Sequence, residues 1–274
     1  MTEPSVTKPP VWNKARVLLA NGFSIMTAYR AQIFIWMLSG TLSLVMMLVW
    51  IGQTAQTPGG RIGGYSGPDF ASYFLSVWLA GQMIVVWVAW ELDFEIRQGG
   101  LSARLLRPLD PLWLHLAEHF AERLVRIPLM LLMLAAFAWL THARFSTRPL
   151  DYLLFMALVL LGFMFRFLWE YCTGMLAFWT DSSTSFSDLN WLLYSALGGL
   201  FAPLSFYPQA VQDVARFTPF PYMLGLPAEV LSGRSNMQAA GQGLLILLAW
   251  TTGFGVLRLW MWRVGLRKYG AVGA

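Results

Sequence analysis

The chain has 274 residues, 57% of them hydrophobic and only 12% charged, with a formal net charge of +5. A soluble domain carries about 25% charged residues, so this chain has too little polar surface to stay in water and reads as a polytopic membrane protein. Its pI near 9.6 does not point to nucleic acid, because the 19 lysines and arginines form no basic run and stand in small groups beside apolar segments.

The opening MTEPSVTKPP lacks the apolar core and small-residue cleavage site of a signal peptide, so the N-terminus is expected to be retained. Residues 11–30, VWNKARVLLANGFSIMTAYR, place Trp12, Lys14, Arg16, Tyr29 and Arg30 around an apolar stripe. That pattern predicts a helix lying in the membrane interface. A span needs about 20 apolar residues, and windows of that size fall near 32–53, 70–90, 124–142, 151–178, 189–206 and 239–262. The fold class is therefore all-α with six transmembrane helices in one permease-like domain covering 1–274. Lys and Arg accumulate on the cytoplasmic side. Thirteen lie on one side of this layout and five on the other, which predicts cytoplasmic termini.

Between the first two spans, TAQTPGGRIGGYSGPD reads as an irregular external turn. After the second, residues 91–111 gather Glu91, Asp93, Glu95, Arg97, Arg104, Arg107 and Asp110 around Gly99 and Gly100. The glycines end one helix as a C-cap, and LSARLLR forms a short amphipathic helix stopped by Pro108. Arg97 to Arg107 then have the shape of a cytoplasmic element that docks in a cleft on a partner. Leu101, Leu105 and Leu106 would give an apolar anchor, Arg97, Arg104 and Arg107 would set orientation, and Glu95 would pair with Arg97.

His115, Glu118, His119 and Glu122 in HLAEHFAE are at helical spacing, but the order is not the H-E-x-x-H of zinc proteases. A polar helix at the membrane surface explains them, and no metal site is assigned. In the fourth span Arg166 and Glu170 are four apart and can pair on one helix face. Ionisable groups at membrane depth are functional candidates, so Glu170 is either half of a structural pair or a cation contact in a translocation path. The serines of DSSTSFSD form no recognisable Ser-His-Asp grouping and read as a turn, with Ser187 or Asp188 capping the next helix. Residues 204–237 hold Pro208, Pro219, Pro221 and Pro227, just after Pro203, yet remain apolar. Broken helices dipping into the outer leaflet fit both facts.

A P-loop needs Gly-Lys followed by Ser or Thr, whereas Lys8, Lys14 and Lys268 precede Pro, Ala and Tyr. The chain is therefore not an ATPase of that kind and carries no catalytic residue or cofactor of its own. Any uphill transport must draw on an ion gradient or a separate polypeptide.

DFEIRQGGLSARLLRPLDPL resembles the segment D-x-x-I-R-x-G-x-L…L-L-R-P-L-x-P-L of permease subunits in the type-two exporter class of ABC transporters, in the subfamily often described as viologen exporter permeases. LFAPLSFYPQAVQDVARFTPFPYMLGLPAEVLSG resembles that class's second signature, P-L-x-F-x-P followed by P-F-x-Y-M-x-x-x-P. The resemblance runs over nearly the whole chain. It implies a second permease half, identical or homologous, and two cytoplasmic ATPase subunits that bind ATP and Mg2+. It also implies that residues 97–107 are the coupling helix, and that Pro203, Pro208, Pro219 and Pro221 shape the external gate. A bacterial cell membrane and cationic amphiphiles as cargo follow from the same resemblance. The competing readings are a gradient-driven carrier and a lipid-acting membrane enzyme using Glu170 or the His115 and His119 face.

Overall fold

The computed structural model describes residues 40–181 and 183–269, so the interfacial helix expected over 11–30 lies outside the described residues. In order the chain forms α1 (Leu42–Gln56), β1 (Arg61–Ile62), β2 (Tyr65–Ser66), α2 (Gly67–Ile84), α3 (Val88–Arg97), α4 (Gly100–Leu105) and α5 (Pro111–Thr141). There follow α6 (Pro149–Met175), α7 (Thr184–Leu197), α8 (Gln209–Ala215), α9 (Phe220–Met223), α10 (Gly225–Leu231) and α11 (Met237–Tyr269), with 3-10 turns at Leu176–Phe178 and Leu204–Phe206.

Local sequence explains most of the boundaries. Ser66 and Asp69 form a reciprocal capping box at the start of α2. Asp110 caps α5 by accepting from the Leu112 amide at 2.9 Å, ahead of Pro111 in the first turn. The turn between α1 and α2 contains a small antiparallel hairpin, with Arg61 opposite Ser66 and Ile62 opposite Tyr65.

Among the described residues, four helical segments are long and apolar enough to cross a membrane: Gly67–Arg97, Pro111–Thr141, Pro149–Phe178 and Met237–Tyr269. They carry the second, third, fourth and sixth expected spans. α1 covers the described part of the first and is a shorter apolar helix. The continuous helix expected over 189–206 is not what forms. α7 starts earlier and stops at Leu197, and its 14 residues reach only about 21 Å, less than a hydrocarbon core of about 30 Å. Gly199 then turns the chain at φ +90°, a value that a residue with a Cβ rarely adopts.

α6 lies at the centre, with α11, α3, α10 and α2 packed on it. Gly174 lets α3 approach α6 backbone to backbone, since a Cβ there would meet the Ala89 carbonyl oxygen at 2.8 Å. Small residues serve the same purpose wherever membrane helices pack closely. Outward faces such as Leu124, Leu131, Leu132 and Trp139 on α5, or Leu245 and Trp260 on α11, are exposed and apolar, as lipid contact requires.

Candidate functional site

The charged stretch after α2 folds as a compact corner. α3 ends at Arg97, Gly99 adopts φ +77°, and α4 begins at once. Arg97 pairs with Asp93 at 2.9 Å and donates to the Thr180 carbonyl at 2.8 Å. Glu95 pairs instead with Arg104 at 2.5 Å and contacts His115 Nε2 at 3.2 Å. The expected Glu95–Arg97 partnership is thus corrected, because one turn of helix places Arg97 over Asp93. Leu101 is fully buried and anchors α4 to its own bundle, so it cannot also anchor a partner. Leu105, Leu106 and Arg107 are exposed, Leu106 at 88%. Two further contacts tie the corner to the last long helix: Asp110 with Arg258 at 2.5 Å, and Ser102 with Tyr269 at 2.9 Å between hydroxyls.

The polar face of α5 is not at a surface. His115, His119, Glu122, Arg123 and Arg126 are all buried, and they meet the second span where it breaks. Between α2 and α3, Val85 is extended and helical bonding lapses through Trp87. The Arg123 guanidinium donates to the carbonyls of Met83 (2.6 Å), Val85 and His119, and its plane lies 4.0 Å from the Phe163 ring centre. His119 Nε2 accepts from the Trp87 amide at 3.1 Å, which leaves its proton on Nδ1 to bond the His115 carbonyl at 2.9 Å. Arg126 pairs with Glu122 at 2.8 Å and donates to the Gln82 side chain at 2.8 Å. Among the described residues no group of three or more His, Cys, Asp or Glu is placed to hold a metal ion.

Beside the break lies a cavity of about 400 Å³. Its lining includes Trp78, Trp87, Trp90, Trp191 and Tyr194, together with Gln82, Arg126, Arg166, Glu170 and Asp188. Arg166 pairs with Glu170 at 2.9 Å, with both side chains less than a tenth exposed. Ser187 on α7 donates to the same carboxylate at 3.2 Å, and Arg166 lies 4.6 Å from the Tyr194 ring centre. The pair therefore stands in the wall of the cavity and joins α6 to α7.

On the opposite side, each expected gate proline opens a turn or short helix. Pro203 precedes the 3-10 turn, Pro208 precedes α8, Pro219 precedes α9, and Pro221 lies in the first turn of α9. Proline is suited to these places because its missing amide is one that a helix start leaves unbonded anyway. Tyr73 of α2 donates to the Gly199 carbonyl at 3.0 Å. Arg234 straps the hairpin down, reaching Asp69 at 2.8 Å and the Gly64 carbonyl at 3.1 Å, and lying 3.7 Å from the Tyr65 ring centre.

Near this strap, burial pushes the Glu229 carboxyl up from 4.5 to about 7, against an opposing pull from Arg234. A carboxyl raised in this way binds more protons folded than unfolded. Its contribution to stability is complete below about pH 4.5 and is lost as pH rises through about 7. The melting temperature of the detergent-solubilised protein is expected to fall across that window, and Glu229→Gln is expected to flatten the fall. Parallel pH profiles for the two proteins would remove Glu229 from the account.

A family profile for ABC-2 family transporter proteins matches residues 38–273. The chain belongs to the ABC-2 transporter family. Comparison with curated protein sequences returns no match. As an ABC-2 family member the chain is a multi-pass membrane permease component of an ABC transporter, a component that works with ATP-hydrolysing partners and is not generally catalytic itself.

Sequence reasoning reached Arg166, Glu170 and the α3–α4 corner of this ABC-2 chain, but missed the α5 face and most of the cavity. A signal for the α5 face did exist. His115, His119, Arg123 and Arg126 recur at helical spacing and run directly into an apolar span, where a charge must face the bundle rather than lipid. Arg123, Arg126 and Arg258 are among the thirteen basic residues that the layout puts on the cytoplasmic side, yet they are buried. Without them the balance is ten to five, of unchanged sign.

Proposed function

We propose that this ABC-2 permease is the membrane half of an ATP-driven exporter and that the cavity beside the broken second span lies on its translocation path. The family match over 38–273 carries the reading. In this arrangement the chain crosses six times, the fifth crossing being α7 continued by the turn at Gly199 rather than one continuous helix, with cytoplasmic termini in a bacterial cell membrane. It pairs with a second permease subunit and two ATPase subunits, which supply ATP and Mg2+. The α4 corner is the coupling element, with Leu105, Leu106 and Arg107 offered to the ATPase. Their exposure beside a rigidly anchored Leu101 supports that role. The segment from Pro203 to Arg234 serves as the external gate.

A cationic amphiphile suits the cavity. Four tryptophans and Tyr194 offer ring faces to a cation. Arg126 and Arg166 are each held by a carboxylate, and Asp188 adds a further negative charge to the lining.

The test uses Leu106→Asp and Arg107→Glu, two exposed changes that leave the fold undisturbed. Both variants are expected to reach the membrane normally, to lose co-purification of the ATPase, and to lose most ATP-dependent uptake into inverted vesicles. Normal binding and uptake in both would reduce the corner to a solvated loop. Uptake that ignores ATP and collapses with a protonophore would favour a gradient-driven carrier.

A further inference from the structure

Helices break for identifiable reasons, chiefly proline, glycine or a side chain inserted into the bonding ladder. The stretch MIVVWVAWELDFEIR, residues 83–97, contains neither proline nor glycine, yet the second span is interrupted at residues 85–87. β-Branched Val85 and Val86 lower helix propensity only slightly. The cause therefore lies outside the segment, in two side chains of α5. Arg123 occupies the Met83 and Val85 carbonyls, which a continuous helix would bond to the amides of Trp87 and Ala89, and His119 takes the Trp87 amide.

These substitutions of partner keep the Met83 and Val85 carbonyls and the Trp87 amide bonded in the broken form as in a straight one. Straightening returns the carbonyls and the Trp87 amide to the helical ladder. It strips the buried guanidinium of two of its three carbonyl acceptors at the same moment, leaving the His119 carbonyl, and this loss opposes straightening. Neither form leaves the main chain wholly unbonded, so a modest push decides between them. Two features on the page can supply that push. The broken residues themselves line the cavity, through Ile84, Val85, Val86 and Trp87, so an occupant presses on them directly. The inner arm α3 is fastened to α4 by Glu95 and Arg104, so movement of the corner is passed to the break. α3 also rests on α6 at Gly174, where no side chain stands between the two backbones, giving the inner arm a smooth face to turn on.

We propose that residues 85–87 are a joint with two states, that His119 and Arg123 are positioning residues which hold its broken state, and that the span straightens during the transport cycle. This deepens the exporter reading and rests on it for the transport cycle, but the existence of the joint can be measured on the permease itself.

The experiment places spin labels at Gly67→Cys and Phe94→Cys in a Cys172→Ala background and reads their separation by pulsed electron resonance in lipid nanodiscs. A straight helix across those positions spans about 40 Å, and an interruption at residues 85–87 moves the labels off that separation. The wild-type background, co-purified with its ATPase, is expected to show one separation away from that value without nucleotide and a second population at about 40 Å with a non-hydrolysable ATP analogue. The double change His119→Leu, Arg123→Met removes donor and acceptor together and is expected to shift the resting permease to the straight-helix separation of about 40 Å and abolish transport. Arg123→Lys alone keeps a cationic donor against the carbonyls and is expected to keep the wild-type resting separation and part of the transport.

A folded double variant that keeps the wild-type distance would overturn the proposal, since the break would then be intrinsic to the segment. A wild-type complex that hydrolyses ATP and shows one unchanged distance with and without nucleotide would overturn it too, whatever the variants do. A complex that hydrolyses no ATP would instead sink the exporter reading, while the variant distances would still decide the joint.

Discussion

Glu170→Gln is expected to destabilise the permease by about 3–5 kcal/mol, the usual cost of removing one partner from a buried ion pair. Arg166 has Glu170 as its carboxylate at 2.9 Å, and both side chains are less than a tenth exposed. The neutral amide leaves the guanidinium charged at depth, with only the Tyr194 and Trp169 rings nearby to soften the loss. The cost also reaches α7, because Ser187 donates to the same carboxylate. The measure is thermal melting of the purified permease together with its yield from the membrane. The double change Arg166→Gln, Glu170→Gln removes both charges and is expected to recover most of the stability. If export stays lost while the double variant assembles, the carboxylate serves the path. If export returns with stability, the pair is structural. Wild-type melting and export in the single variant would contradict both readings.

Leu101→Asp is the second large effect. The side chain is completely buried within the main apolar cluster, which also contains Leu92, Ile96, Leu116 and Tyr171. A carboxylate there is taken out of water and loses the apolar contacts, a combination that costs several kcal/mol. The variant is expected to fail assembly, with little permease recovered from the membrane, before coupling can be assayed. Leu106→Asp, five residues on and almost fully exposed, is expected to assemble like the wild type. Equal recovery of the two variants would mean that α4 does not sit against the bundle as described.

The contrast between these leucines shows where the sequence was legible. Gly99 and Gly100 marked the corner correctly, because a left-handed turn between two helices strongly favours glycine. The heptapeptide that follows is amphipathic, but amphipathicity names an apolar face without saying what covers it. Leu101 turned inward and Leu106 outward, a division set by α4's packing on α3. Pro203, Pro208, Pro219 and Pro221 were legible as starts of turns and short helices for the same reason as the glycines, since proline constrains its own backbone whatever surrounds it. The break at residues 85–87 was invisible, as its cause lies in His119 and Arg123, some 32 to 40 positions along the chain. The α5 face was visible as a pattern but misassigned to a surface, because hydropathy alone does not separate a charge facing water from one facing a buried carbonyl. The fifth window failed in another way. Residues 189–206 are apolar enough for a span, but Gly199 and Pro203 divide them, and composition averaged over a window does not register a single turn.

Asp110 carries a consequence for the length of the chain. Its carboxylate caps the start of α5 through the Leu112 amide and holds Arg258 of α11, while α4 ends only a few residues before it. The connector over residues 106–110 therefore acts as a ruler fixed at both ends. Adding or removing one residue would pull that single carboxylate away from the helix start, from the arginine, or from both. The hairpin tip at Gly59 and Gly60, with open space around it, has slack to absorb such a change. Insertion is therefore expected to be tolerated at the hairpin tip and not between Leu105 and Asp110, a contrast that recovery of the two insertion variants from the membrane would measure.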